Sequence, residues 1–180
     1  MAYYRMDNNN MKEENRIKHY AAAVTAAAAG VLIDQLTKYM AIAKLKGQEP
    51  FVLLKDIFQF EYLENRGAAF GLFQNQRIFF FISVAVICAV VIWFYMKVPM
   101  ERRFLPLRIC AVMIVAGAFG NCIDRVRLNY VVDFFYFKLI DFPIFNVADI
   151  YVTVSTFALV ILLFFYYKEE DFERIFHRRK

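Results

Sequence analysis

Four apolar runs separated by polar segments dominate the chain: Tyr20 to Ile42, Ile78 to Met96, Leu105 to Ile123 and Asn146 to Tyr167. A helix needs about 20 mostly apolar residues to cross the hydrocarbon core of a bilayer, and each run is about that long. The pattern predicts four transmembrane helices. Between the first two, over Leu45 to Arg77, the period changes. Phe58-Gln59-Phe60-Glu61-Tyr62 alternates apolar and polar positions, and Phe51-Val52-Leu53-Leu54 is a short apolar run bounded by Pro50 and Lys55, so a small sheet at the membrane surface is expected. Asn65-Arg66-Gly67-Ala68-Ala69-Phe70-Gly71 follows, with small residues suited to a tight turn.

The polar opening, Met1 to Lys18, reads as a mobile tail. Basic residues ahead of an alanine-rich run also fit a cleavable signal peptide, but Asp34 interrupts the run and its length favours a retained anchor. Residues 1–19 and 168–180 are therefore read as cytoplasmic tails around a four-helix domain spanning 20–167. A hydrophobic content of 61% suits a membrane protein better than a soluble globule. The net charge of +5 does not change this, because the basic residues flank the spans instead of forming one basic face; nucleic acid is excluded as a partner. Thirteen of the 22 Lys and Arg residues fall in the two tails and in the short link Lys97 to Arg108. The positive-inside rule then puts both termini in the cytoplasm and the loops holding Asn65 and Asp124 to Asp149 outside. The fold class is an all-α membrane protein of four transmembrane helices with a small extracytoplasmic β-sheet.

Candidate chemistry concentrates in Gly120-Asn121-Cys122-Ile123-Asp124-Arg125, Val131-Val132-Asp133-Phe134 and Phe145-Asn146-Val147-Ala148-Asp149. Ionisable groups at membrane depth are costly and mark either function or fixed pairing. The two histidines, His19 and His177, lie in or beside the inward tails, so an outer-face triad or zinc site has no base or ligand. Ser83 and Ser155 lie in spans without an activating Lys or His. Cys88, Cys110 and Cys122 read as small buried hydrophobes without metal-binding spacing. Carboxylates remain: Asp34, Glu64, Asp124, Asp133, Asp141 and Asp149. Two carboxylates sharing a site retain one proton, so the ionised one can deprotonate water while the other polarises a carbonyl, with no metal or cofactor.

Asp149 follows Asn146 by one turn at the start of the fourth run, and Asp133 leaves the third span after Val131-Val132, so the two can converge. A structural reading stands beside this one: Asp149 complements a helix dipole, with Asn146 as the cap. Asp34 and Lys38 are spaced to pair along a helix. Asp124 pairs with Arg125 or with a cation on another span, and Asp141, beside Pro143, reads as an exposed loop acid. Two rivals to a hydrolase are a proton-coupled transporter using Asp34, Asp124 and Asp149 as a relay, and an assembly subunit locked by Asp124 and Arg125. The acids cluster toward one face, which leaves a relay without steps across the second span.

Five blocks in order resemble the lipoprotein signal peptidase family, bacterial signal peptidase II. They are Asp34-Gln35-Leu36-Thr37-Lys38, Asn65 with Gly67-Ala68-Ala69-Phe70, Gly120-Asn121 with Asp124-Arg125, Val131-Val132-Asp133-Phe134, and Phe145-Asn146 with Ala148-Asp149. The resemblance implies a membrane aspartyl endopeptidase that removes the signal peptide from prolipoproteins, cutting before a diacylglyceryl-modified cysteine. It assigns catalysis to Asp133 and Asp149 and orientation of substrate or dyad to Asn65, Asn121, Arg125 and Asn146. Asp34, Lys38 and Asp124 are implied as polar support, with no metal and no cofactor. The implied partners are the prolipoprotein, membrane lipid and the inhibitor globomycin, and the implied location is the bacterial cytoplasmic membrane. The chain departs from the family in having Asn129-Tyr130 where Gly-His is frequent, and Ala116-Gly117 where Gly-Gly is common.

Overall fold

A computed structural model describes residues 2–67 and 77–176. The elements are α1 (Ala2–Leu45), β1 (Phe51–Leu54), β2 (Phe58–Asn65), α2 (Arg77–Lys97), α3 (Leu105–Arg127), β3 (Val131–Tyr136), α4 (Val147–Ile161) and α5 (Glu169–Phe176). Among the described residues four helices are long and apolar enough to cross a membrane: Arg16–Leu45, Ile78–Lys97, Arg102–Arg127 and Val147–Tyr166. Each overlaps an expected run. The third lies at the centre, with the largest buried share, against α1, α2 and α4.

The polar opening, expected as a tail, is helical and continuous with the first span. No Gly or Pro interrupts the chain before Gly30, and Glu14 and Lys18 pair along the helix at 2.7 Å, so nothing breaks the helix where the apolar pattern ends. The segment expected as the second tail carries a helix of its own. Glu169–Phe176 forms α5, with acids in its first turn, where the helix dipole favours them. It folds back so that Ile175 joins Val98, Phe104, Leu107 and Tyr167 in a buried cluster. Arg103 Nε donates to Asp171 Oδ1 at 2.7 Å, and Arg174 pairs with Glu101, which fastens α5 to the α2–α3 turn. His177, Arg178, Arg179 and Lys180 lie outside the described residues, as do Ala68, Ala69, Phe70 and Gly71 of the expected turn.

At the opposite end β1, β2 and β3 form an antiparallel sheet in that order. The first two are the expected strands. The third was not expected: Asp133 sits within a strand instead of at the end of the third span. Val131-Val132-Asp133-Phe134-Phe135-Tyr136 is rich in β-branched and aromatic residues that suit a packed sheet, and Val132 and Phe134 bury against Ala41 and Phe60. Between α3 and β3 the backbone of Asn129 is left-handed, at φ 71°. Asn tolerates this conformation better than most residues, so it can serve at a turn that otherwise favours glycine.

Close helix packing explains the small residues of α3. A Cβ on Gly117 would meet the Ala148 carbonyl oxygen at 2.5 Å, and one on Gly120 would meet Asp34 Oδ2 at 2.5 Å. Gly120→Ala is therefore expected to destabilise the fold by about 1–3 kcal/mol through overpacking, read as a lower unfolding temperature in detergent. An unchanged midpoint would contradict this contact.

Candidate active site

The sheet and the loop after it bring the two ends of the polar sequence together. Phe134 N and Phe135 N donate to Phe145 O at 3.0 and 2.9 Å, and Phe145 N returns to Phe135 O at 3.1 Å. This bridge ties the residue before Asn146 to the strand carrying Asp133, so α4 starts beside β3. Asn146 then caps α4. Its side chain accepts from Asp149 N at 3.1 Å, and Asp149 Oδ2 accepts from Asn146 N at 3.1 Å. This reciprocal capping box satisfies two amides of the helix start. The dipole-and-cap reading of Asp149 therefore holds together with its convergence on Asp133, because Asn146 serves both acids.

Asn146 is fully buried, and its Nδ2 donates to Asp133 Oδ1 at 2.6 Å and to Asn121 Oδ1 at 3.1 Å. Asn65 Nδ2 donates to the other Asp133 oxygen at 2.8 Å, and Asn121 Nδ2 donates to Asp149 Oδ1 at 2.8 Å. Three amides from β2, α3 and the α4 cap thus hold two carboxylates. Asp133 is 1% exposed. Burial first, and the charge of Asp149 second, push its carboxyl up to about 7, against the opposite pull of the Asn65 and Asn146 hydrogen bonds.

Behind these groups is a buried ionic layer. Lys38 Nζ lies 2.9 Å from Asp34 Oδ2 and 3.0 Å from Asp124 Oδ2, with all three side chains nearly inaccessible. The expected pairing of Asp124 with a cation on another span is met by Lys38. Each acid also holds backbone: Asp34 Oδ1 accepts from Ala148 N at 2.9 Å and Asp124 Oδ2 from Val132 N at 3.1 Å. The layer therefore fixes the start of α4 and of β3, one residue away from each of Asp149 and Asp133. Lys38 also donates to Asn121 Oδ1 at 2.8 Å, which orients that amide so that its Nδ2 faces Asp149. Gln35 was not singled out as a site residue, although its Nε2 donates to Asp124 Oδ1 at 2.9 Å, Gly120 O at 3.1 Å and Asp34 Oδ2 at 3.2 Å. The clues in the sequence are its place beside Asp34 and inside the block Asp34-Gln35-Leu36-Thr37-Lys38.

Arg125 donates to Gly67 O at 3.2 Å and Asn121 O at 3.3 Å, with its guanidinium carbon 4.2 Å from the Phe80 ring centroid. Asp133, Asp149, Asn65, Asn121 and Arg125 all line one cleft of about 1000 Å³, with Phe142, Pro143, Phe145, Ile150 and Val154 as apolar wall. Asp141 lies at its rim, exposed as expected, and accepts from the Tyr136 hydroxyl at 2.6 Å. Among the described residues no cluster of three or more His, Cys, Asp or Glu side chains is placed to hold a metal ion.

The family profile described as signal peptidase (SPase) II matches residues 26–165. The lipoprotein signal peptidase of Clostridium tetani is 41% identical over 147 residues, covering 80% of this chain and 91% of that protein. The one from Caldanaerobacter subterraneus subsp. tengcongensis is 42% identical over 144 residues, covering 79% and 96%. A structure described as a bacterial membrane enzyme, solved by the in meso method at 1.9 Å, superposes with a TM-score of 0.69 at 30% identity, covering 82% of this chain and 95% of its own.

Proposed function

Because the chain belongs to the signal peptidase II family, we propose that it is an aspartyl endopeptidase of the bacterial cytoplasmic membrane. It removes the signal peptide from prolipoproteins just before the diacylglyceryl-modified cysteine. The observation that carries this reading is the bridge made by Asn146, which engages Asp133 through its side chain and Asp149 through the capping box, two acids that both line one cleft. A cleft with an acidic floor and an apolar wall suits a substrate that is a lipidated signal helix arriving from the bilayer.

In this scheme Asp133, whose carboxyl is pushed up to about 7 by burial and by the charge of Asp149, carries the proton of the pair, and Asp149 acts as the base. Asp149 takes a proton from a water as its oxygen attacks the scissile carbonyl, and the Asp133 hydroxyl donates a hydrogen bond to the developing oxyanion. Collapse of the tetrahedral intermediate breaks the C–N bond, the proton passes to the departing amine of the cysteine, and the signal peptide leaves as a carboxylate. Asn65, Asn121 and Asn146 keep the acids oriented, and Arg125 holds the backbone at Gly67 against the cleft. The positive-inside pattern supports an orientation with the termini and the α2–α3 turn in the cytoplasm and the cleft at the outer face. The rival proton relay is weakened because Asp34 and Asp124 are both engaged by Lys38.

Purified protein in detergent is expected to convert a diacylglyceryl-modified prolipoprotein to a product beginning at the lipidated cysteine, and globomycin is expected to block this. A folded protein that leaves several such substrates uncut would contradict the proposal. The pH profile adds a check. Protonated Asp133 is the working form, so activity falls as pH rises through about 7. The Asn65 hydrogen bond pulls the Asp133 carboxyl down, so Asn65→Ala should raise its pKa and move this alkaline limb to higher pH. A limb that stays in place, or moves down, would count against Asp133 as the acid.

A further inference from the structure

Arg108, one turn inside the basic end of α3, counts in the sequence only as one of the positive charges flanking the spans, but its surroundings are unusual for a guanidinium in a membrane protein. Arg108 is 4% exposed. Its Nη1 meets Met100 Sδ at 2.9 Å, its Nη2 donates to Glu101 O at 3.2 Å, and its Nε has no partner. Among the described residues no carboxylate lies within 4.0 Å of it, and the carboxylate of Glu101 is engaged by Arg174. A buried charge without a counter-charge is costly, so an anion from outside the chain would stabilise it.

A cavity of about 170 Å³ adjoins this group, lined by His19, Ala22 and Ala23 of α1, Tyr95 of α2, and Arg108 and Val112 of α3 among others. His19, Tyr95 and Arg108 are the polar members. Ala22, Ala23 and Val112 lie about one turn further along their helices toward the membrane interior, and the two alanines leave the groove open. A positive end at the membrane interface that continues into an apolar groove is complementary to a lipid with a charged head and a hydrocarbon chain.

We propose that this cavity binds an anionic phospholipid of the cytoplasmic leaflet, with its phosphate toward Arg108 and an acyl chain over Ala22 and Ala23. The full chain in detergent would be titrated with phosphatidylglycerol or phosphatidylcholine and the bound lipid counted by native mass spectrometry. One basic side chain near a headgroup gives a preference of roughly fivefold for phosphatidylglycerol. Arg108→Gln should abolish this preference, and Ala23→Phe, which fills the groove and keeps the charge, should reduce retention of both lipids. Inorganic phosphate at millimolar concentration should leave phosphatidylglycerol bound. Equal retention of the two lipids by the wild type, or an unchanged preference in Arg108→Gln, would overturn the proposal. Displacement by inorganic phosphate would reassign the site to a free anion and overturn it as a lipid site. If Arg108→Gln fails to fold, Ala23→Phe decides, and unchanged retention in that variant refutes the groove.

Discussion

Lys38→Met is expected to lower the stability of the protein by about 3–5 kcal/mol, the usual cost of leaving buried charges without their partner. Methionine matches the length and volume of lysine, so the loss would come from charge and not from a cavity. Asp34 and Asp124, both almost fully buried, would face each other without the ammonium that separates them. Their hydrogen bonds to Ala148 N and Val132 N would weaken as the two carboxylates moved apart. For a chain of this size the drop corresponds to an unfolding temperature lower by on the order of 10 °C. Activity should fall even where the variant stays folded, because Asn121 loses the donor that fixes its amide toward Asp149. An unchanged midpoint, measured by thermal unfolding in detergent, would show that the ionic layer supports neither α4 nor β3.

The second large effect is on turnover. Asp133→Asn should reduce cleavage by about 10²–10⁴-fold, the range for loss of a positioned acid or base, while leaving stability nearly unchanged. The substitution is isosteric and relieves the burial of a carboxyl beside a second acid, which favours folding. Against this, an amide has one acceptor where Asp133 meets two donors, Asn65 and Asn146. These terms oppose each other, so activity and unfolding temperature are expected to separate. A variant that loses both together would mean that Asp133 serves the fold instead of the reaction.

The parts of the chain that were legible in sequence are those with one dominant physical signal. Long apolar runs have few alternatives to spanning helices, and the alternation at Phe58 to Tyr62 marked β2. Strand β3 is obscured in the sequence because it follows the third span after only three residues and carries the charged Asp133, although Val131-Val132 and Phe134-Phe135-Tyr136 have the composition of a strand. Helix α5 looked like a charged tail because its acids and bases outnumber its apolar residues, yet Phe172, Ile175 and Phe176 recur at helical spacing. The extension of α1 through Lys18 had no apolar signal to read. At the site, elimination leaves six outer-side carboxylates, since no histidine, serine or metal set competes for the outer face, and the resemblance to the peptidase family is what singles out Asp133 and Asp149 among them. That the acids share Asn146 could not be read, because it depends on the Phe135 to Phe145 bridge, a contact between residues ten apart whose register only the folded sheet sets. The choice of Lys38 over Arg125 as the partner of Asp124 likewise depends on how closely α1 approaches α3 at Gly120.

The pairing of Asp149 with Asp133 is the claim on which the mechanism rests. Single-turnover cleavage of a diacylglyceryl-modified prolipoprotein by Asp149→Asn, run beside the wild type in the same detergent with unfolding temperatures recorded for both, tests it most directly. The account predicts rapid release of the signal peptide by the wild type and no product from the variant over the same time, at closely similar unfolding temperatures. Product formation by Asp149→Asn at the wild-type rate would contradict it and return Asp149 to a capping role at the start of α4.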